Sequence, residues 1–224
     1  MPLQNRVDPY GAIHAVPERG LFTGNRGIIH DPETKTLLKK RWALPAWIIC
    51  VCDYQGRRRE PMGRNRQVDG KGGGKAGWTE LFFLDQPTAL AAGHRPCFFC
   101  QRARASEFLR CFGKAFGIAE PRAPQLDARL HKERFASARK PLPPIPAEEI
   151  ARLPDGAMVD IGGKPFALRD GGLLGWSFAG YDRPVSMSAA TRGGASVALI
   201  TPPTAVAALA AGFTPVWHAS AGNG

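Results

Sequence analysis

The residues best placed to do chemistry are Cys97 and Cys100, which bracket Phe98-Phe99 in a Cys-x-x-Cys. Two thiolates at this spacing chelate a single metal ion from a tight turn, and zinc accepts such ligands in tetrahedral geometry. Pro96 stiffens the approach and Gly93 allows a sharp bend before it. A second pair, Cys50 and Cys52, stands in the run Trp47-Ile48-Ile49-Cys50-Val51-Cys52. Its β-branched and aromatic content reads as a strand, and alternation puts both thiols on one face. The expected ligands are therefore Cys50, Cys52, Cys97 and Cys100, and the expected ion is zinc. A single intervening residue gives the first pair little reach, so the fourth place stays open among Cys52, His30, His94 and Cys111. Buried core cysteines are the competing reading of Cys50 and Cys52. A dithiol redox pair is the competing reading of Cys97 and Cys100, but the βαβ setting of such motifs is missing. A zinc ion here reads as structural rather than catalytic.

A second constellation lies downstream. Asp127, His131 and Arg134 fall at i, i+4 and i+7 of an expected helix over 125–139 and so share a face. Asp orienting His as a general base, with Arg holding a phosphate, is the equipment of a nuclease- or glycosylase-type enzyme. Ordinary surface and capping contacts are the alternative.

The chain of 224 residues carries a formal charge of +11 and a pI near 9.9, which favours polyanionic partners, nucleic acid above all. The stretch 56–77 holds Arg57-Arg58-Arg59, Arg64, Arg66, Lys71 and Lys75 among glycines. It reads as a mobile loop suited to tracking phosphates. Arg95, Arg102 and Arg104 add to the basic set. Thr23-Gly24-Asn25-Arg26-Gly27 reads as a turn, either an anion-binding one or a plain surface one. The opening residues are polar with no apolar h-region, and no apolar run spans a bilayer. With five cysteines kept as thiols, the expectation is a cytoplasmic protein with no membrane partner.

These groups must be held by something. The reading places a hairpin over 27–38, strands at 47–52 and 79–84, and a short helix over 87–92 capped by Asp85 and closed by Gly93. A basic amphipathic helix follows over 101–116, then the helix over 125–139. The proline-rich 141–146 reads as a stiff linker. Beyond it come short strands at 158–161, 166–168, 173–176 and 196–200, then a helix over 204–211 closed by Gly212. Ala89-Leu90-Ala91-Ala92-Gly93 echoes Ala208-Leu209-Ala210-Ala211-Gly212, as shared capping or as duplication.

The stretch from Leu81-Phe82-Phe83-Leu84-Asp85-Gln86-Pro87-Thr88 through Gly93-His94-Arg95-Pro96-Cys97-Phe98-Phe99-Cys100 resembles the metal-binding domain of Ada-type alkylation-response proteins. The resemblance covers about residues 47–104. It implies a strand, a short Ala-rich helix, a turn and a Cys-x-x-Cys that binds zinc with two upstream cysteines. It also implies a DNA partner rather than RNA, a setting in repair or DNA processing, and a methyl-accepting role for the first cysteine, here Cys50. The family separates its upstream cysteines by three residues, and this chain by one. No helix-turn-helix regulator region and no Pro-Cys-His-Arg acceptor motif follows.

The expectation is an α+β protein in two parts. Residues 1–140 would hold a small zinc-binding α/β module with a flanking hairpin and helices. Residues 147–224 would form a small sheet with one helix. Its function would be that of a zinc protein contacting nucleic acid, with phosphates held by Arg57, Arg58, Arg59, Arg95, Arg102 and Arg104. A nucleic-acid-cleaving enzyme and a phosphotriester methyl acceptor are the alternatives.

Overall fold

A computed structural model describes residues 1–56, 59–68, 71–138 and 142–222. It opens with the strands β1 (Arg6–Val7), β2 (Ile13–His14) and β3 (Phe22–Asn25), then a hairpin of β4 (His30–Asp31) and β5 (Thr36–Leu37). The strands β6 (Ile48–Val51), β7 (Arg66–Val68), β8 (Lys71–Lys75) and β9 (Leu81–Phe83) lead into helix α1 (Gln86–Ala91). The short strand β10 (Arg95–Pro96) precedes α2 (Arg102–Phe116) and α3 (Ala123–Ala138). The rest comprises β11 (Met158–Ile161), β12 (Lys164–Arg169), β13 (Gly172–Ser177), β14 (Gly180–Tyr181), α4 (Met187–Ala190), β15 (Val197–Leu199) and α5 (Pro203–Ala210). The α+β class is as the sequence indicates.

The first sheet has the order β10-β6-β3-β9-β1-β2, and the second, β14-β13-β12-β11-β15, is antiparallel throughout. The segment expected as an anion-binding or surface turn supplies the middle of the first sheet instead. β3 pairs antiparallel with β6 on one side and β9 on the other, and all four of its residues are buried. Gly24 misleads a reading by propensity, because glycine weakens a strand. A Cβ there would sit 2.2 Å from the Ile48 carbonyl and 2.9 Å from the Phe83 ring, so only glycine fits.

The basic stretch also departs from expectation. β7 and β8 pair antiparallel, so part of it is a hairpin rather than a mobile loop. Nor does the proline-rich stretch separate two cores. Ile145 N–H donates to Val197 O and Leu199 N–H to Pro143 O, which lays the stretch along β15. One apolar cluster runs from Val7 and Ile49 through Phe108 and Leu130 to Leu168 and Phe213, joining the two halves. Phe108 meets Phe213 edge-on at 5.0 Å between centroids.

The echo between the two short helices has a physical basis. Gly93 N–H reaches Leu90 O and His94 N–H reaches Ala89 O; Gly212 and Phe213 repeat this with Leu209 and Ala208. Both glycines have positive φ, +79° and +112°, as this helix-ending turn requires.

Asp85 ties the halves together. Its Oδ1 accepts from Thr88 N–H at 3.0 Å, Thr88 O–H at 2.7 Å and Tyr181 O–H at 3.1 Å, and its Oδ2 accepts from His218 N–H at 3.2 Å. Asp85→Ala removes the cap of α1 and leaves the buried Tyr181 hydroxyl without its acceptor. A loss of about 3 kcal/mol is expected, lowering Tm by roughly 6–12 °C. Asp85→Asn, which keeps the cap, should recover part of it. Thermal melts of the two variants check this, and a Tm for Asp85→Ala equal to wild type contradicts it.

Candidate metal centre

The cysteine cluster forms where β6 and β10 run side by side. The two strands pair in parallel, with Arg95 opposite Ile48 and Pro96 opposite Ile49. Cys97 N–H then donates to Ile49 O at 2.9 Å, so Cys97 arrives beside Cys50. The chain turns at once: Gln101 N–H donates to Cys97 O at 3.0 Å, and the Gln101 side-chain amide donates to Ile49 O at 2.8 Å. This turn brings Cys100 back over the end of β6. Phe99 N–H points at Cys97 Sγ at 3.4 Å, the kind of backbone donor that favours a thiolate.

The Sγ atoms of Cys50, Cys97 and Cys100 lie within 4.8 Å of one another, the one group of potential metal ligands among the described residues. Tetrahedral zinc with Zn–S near 2.3 Å needs sulfurs about 3.8 Å apart, so the set fits with small adjustment. Cys50 and Cys97 are buried and Cys100 is half-buried. Hydrogen bonds from Cys100 and then Cys50 pull the Cys97 thiol well below its ordinary value, against the effect of burial. The Cys50 thiol is pushed up by its contacts to Cys100 and Cys97 and by burial.

Cys52 is not in the group. Alternation does bring Cys52 to the same cavity as Cys50, but its sulfur is not within reach of the other three. Its thiol donates to Leu21 O at 3.4 Å and is exposed. The other candidates for the fourth place are elsewhere too. His30 Nδ1 is 2.6 Å from the Thr79 hydroxyl, and Cys111 is buried in α2. His94 is fully buried, its Nε2 accepting from Arg26 Nε at 3.3 Å. Burial, then the charges of Arg26 and Arg134, hold that imidazole neutral.

The three thiols instead face a cavity of about 450 Å³. Its walls include Tyr54, Trp78, Phe82 and Phe99, from four separate segments, with the polar Asn25 and Glu80. Glu80 is tied down by Arg59 Nε at 2.7 Å and Met62 N–H at 2.9 Å. Sequence reasoning missed this cavity. Aromatic residues this far apart in the chain carry no mutual signal, although Phe99, inside the Cys-x-x-Cys and 65% exposed, was a clue.

The expected catalytic set is placed differently from its reading. Asp127 accepts from Arg95 with both oxygens, from Nε at 2.9 Å and Nη2 at 2.8 Å. Arg134 donates to Gly93 O at 2.5 Å and Pro45 O at 2.6 Å, and its guanidinium stacks on Trp47 at 4.1 Å. A Cβ on Gly93 would stand 2.5 Å from Arg134 Cδ, so the turn needs glycine for this packing as well as for its φ. His131 Nδ1 is 3.4 Å from Arg134 Nη2 and its ring meets Trp42 edge-on. The shared helix face is real, but it looks inward and fastens α3 to β10 and to the turn after α1.

Arg26 joins the same contact region. Fully buried, it donates to Gly11 O at 3.0 Å and stacks on Trp47 at 4.0 Å, and burial pushes its guanidinium down to about 9. Of the arginines expected on phosphates, Arg95 is thus buried in an ion pair. Arg104 is held by Gln86 Oε1 and Thr214 O, both at 2.6 Å, and Arg59 by Glu80. Arg102 is exposed, and Arg57 and Arg58 lie outside the described residues.

Comparison with protein-family models, with curated proteins and with solved structures found no match. No helix among the described residues is long and apolar enough to cross a membrane.

Proposed function

We propose that this chain is a zinc-binding protein whose metal, held by Cys50, Cys97 and Cys100, keeps one coordination position turned toward a ligand cavity, and that its partner is nucleic acid, DNA before RNA. The observation that carries the metal reading is the convergence of three sulfurs from strand β6 and the tight turn that follows β10. Three protein ligands beside a cavity is the pattern of zinc sites that bind a ligand or water in the fourth place. The structural role expected of a closed four-cysteine site therefore gives way to an open one. The nucleic-acid reading is supported by the +11 charge and by the basic residues exposed along α2, Arg102, Arg110 and Lys114. Its preference for DNA and its setting in repair or processing come from the resemblance to the Ada-type metal-binding domain.

Two measurements test this. Titration of the metal-free chain with cobalt(II) should give intense thiolate-to-cobalt bands that saturate at one ion per chain. Binding to a short DNA duplex should then weaken steeply with salt, by about tenfold or more between 50 and 200 mM for even a few phosphate contacts. Binding that stays flat over that range contradicts the DNA reading, and an absence of thiolate bands contradicts the metal reading.

A further inference from the structure

A second cavity of about 620 Å³ adjoins the one over the cysteines. The two share Cys52, Pro61 and Phe82 in their walls. The characters of the two ends differ. The first is walled by flat aromatic side chains: Tyr54 and Phe99 lie 5.1 Å apart, and Arg59 stacks on Trp78 at 4.3 Å. The second is lined by Arg6 and Arg19. Arg6 covers the Phe82 ring at 4.7 Å, so a cation stands where the two meet. Burial, then the neighbouring charge of Arg19, push the Arg6 guanidinium down, and Glu18 only partly offsets them. Two like charges drawn together at the edge of a cavity are relieved by an anion between them.

We propose that this double cavity is a nucleotide site, taking one base among Tyr54, Trp78, Phe82 and Phe99 and its phosphate at Arg6 and Arg19. The inference rests on the metal reading for one feature only: a ring nitrogen or carbonyl of the base completes the coordination of the ion held by Cys50, Cys97 and Cys100. The aromatic end is within the roughly 300–1,000 Å³ of small-molecule sites and large enough for a base and its sugar. Aromatic faces bind any base by stacking, and arginine N–H groups hold phosphate. Arg6 Nε and Nη1 already donate to Glu18 O and Asn5 Oδ1, so Arg6 would offer Nη2 beside Arg19. Leu44 and Phe99, both exposed, line the same cavity; apolar side chains left in solvent around a concavity mark a surface that a ligand covers. The ligand is a free mononucleotide or a base turned out of a strand, since the chemistry is the same.

Isothermal titration of the zinc-loaded full chain tests this, with the four deoxynucleoside monophosphates, their nucleosides and a short single strand as probes, and with zinc measured in the same sample. At least one monophosphate should bind below millimolar concentration and more tightly than its nucleoside. Phe99→Ser, at an exposed position that folding tolerates, should weaken nucleotide and nucleoside alike by about tenfold. Arg19→Gln, also exposed, should weaken the monophosphate about fivefold and leave the nucleoside unchanged. In the cobalt form, adding the nucleotide should shift the visible bands. A single strand that binds more tightly than any monophosphate identifies the source as nucleic acid; monophosphate binding alone identifies a free nucleotide. One zinc per chain with no heat from any probe, or affinities untouched by both variants, overturns the nucleotide site while leaving the metal reading intact. Nucleotide binding with no zinc in the sample overturns the coordination and keeps the aromatic and arginine contacts.

Discussion

Cys97→Ser is expected to abolish the stabilisation that the ion of the proposed zinc centre would give this chain. An ion that binds only the folded state at a thousand times its Kd stabilises by about 4 kcal/mol. For a protein of this size that corresponds to roughly 8–16 °C in Tm. Wild type should therefore melt that much higher in zinc than in chelator, and Cys97→Ser should melt at the chelator temperature under both conditions. Cys97 is the strongest choice because its sulfur belongs to the three-cysteine group and its backbone closes the turn from β10 into α2. Cys52→Ser should melt as wild type does, since its sulfur lies outside the group. A Cys97→Ser protein that still gains its full increment from zinc contradicts the assignment.

Asp127→Ala is expected to destabilise the fold by about 3–5 kcal/mol, the cost of leaving one partner of a buried ion pair uncompensated. Arg95 is buried, bound through two nitrogens to Asp127 and through a third to Pro96 O at 3.0 Å. Without the carboxylate its charge has no counter-ion, and β10, which places Cys97, loses its tie to α3. His131→Ala, on the same helix face but half-buried, should cost only about 1 kcal/mol. Urea denaturation of the two variants separates a structural role from the general-acid/base role that the spacing first suggests. Equal small losses for both contradict the ion-pair account.

The helices were readable because their periodicity is long and their caps are plain: α1 begins at Asp85 as the cap predicts, and α2 and α3 lie within one or two residues of expectation. β6 was readable from its β-branched run. β3 was not, because Gly24 is there for close packing against Ile48 and not for a turn. The Asp127–Arg134 face was visible as a face, but periodicity says which residues point together and not toward what. Arg26 shows the same limit: in sequence it marks a basic turn, and in the fold it is fully buried beside Trp47. Cys-x-x-Cys announced itself by spacing and Cys50 by its strand. Cys52 shares the cavity with Cys50 as alternation expects, but its sulfur turns to Leu21 O, a contact that spacing alone does not show. The cavity was beyond reach, since it exists only once β3, β6 and β9 are laid side by side.

The most direct test is zinc content by elemental analysis of wild type and of the serine variants of Cys50, Cys52, Cys97 and Cys100, all dialysed against the same buffer. The proposed zinc centre predicts one zinc per chain in wild type and in Cys52→Ser, and a marked loss in each of the other three. Full zinc in Cys50→Ser, or loss in Cys52→Ser, would contradict the three-cysteine centre.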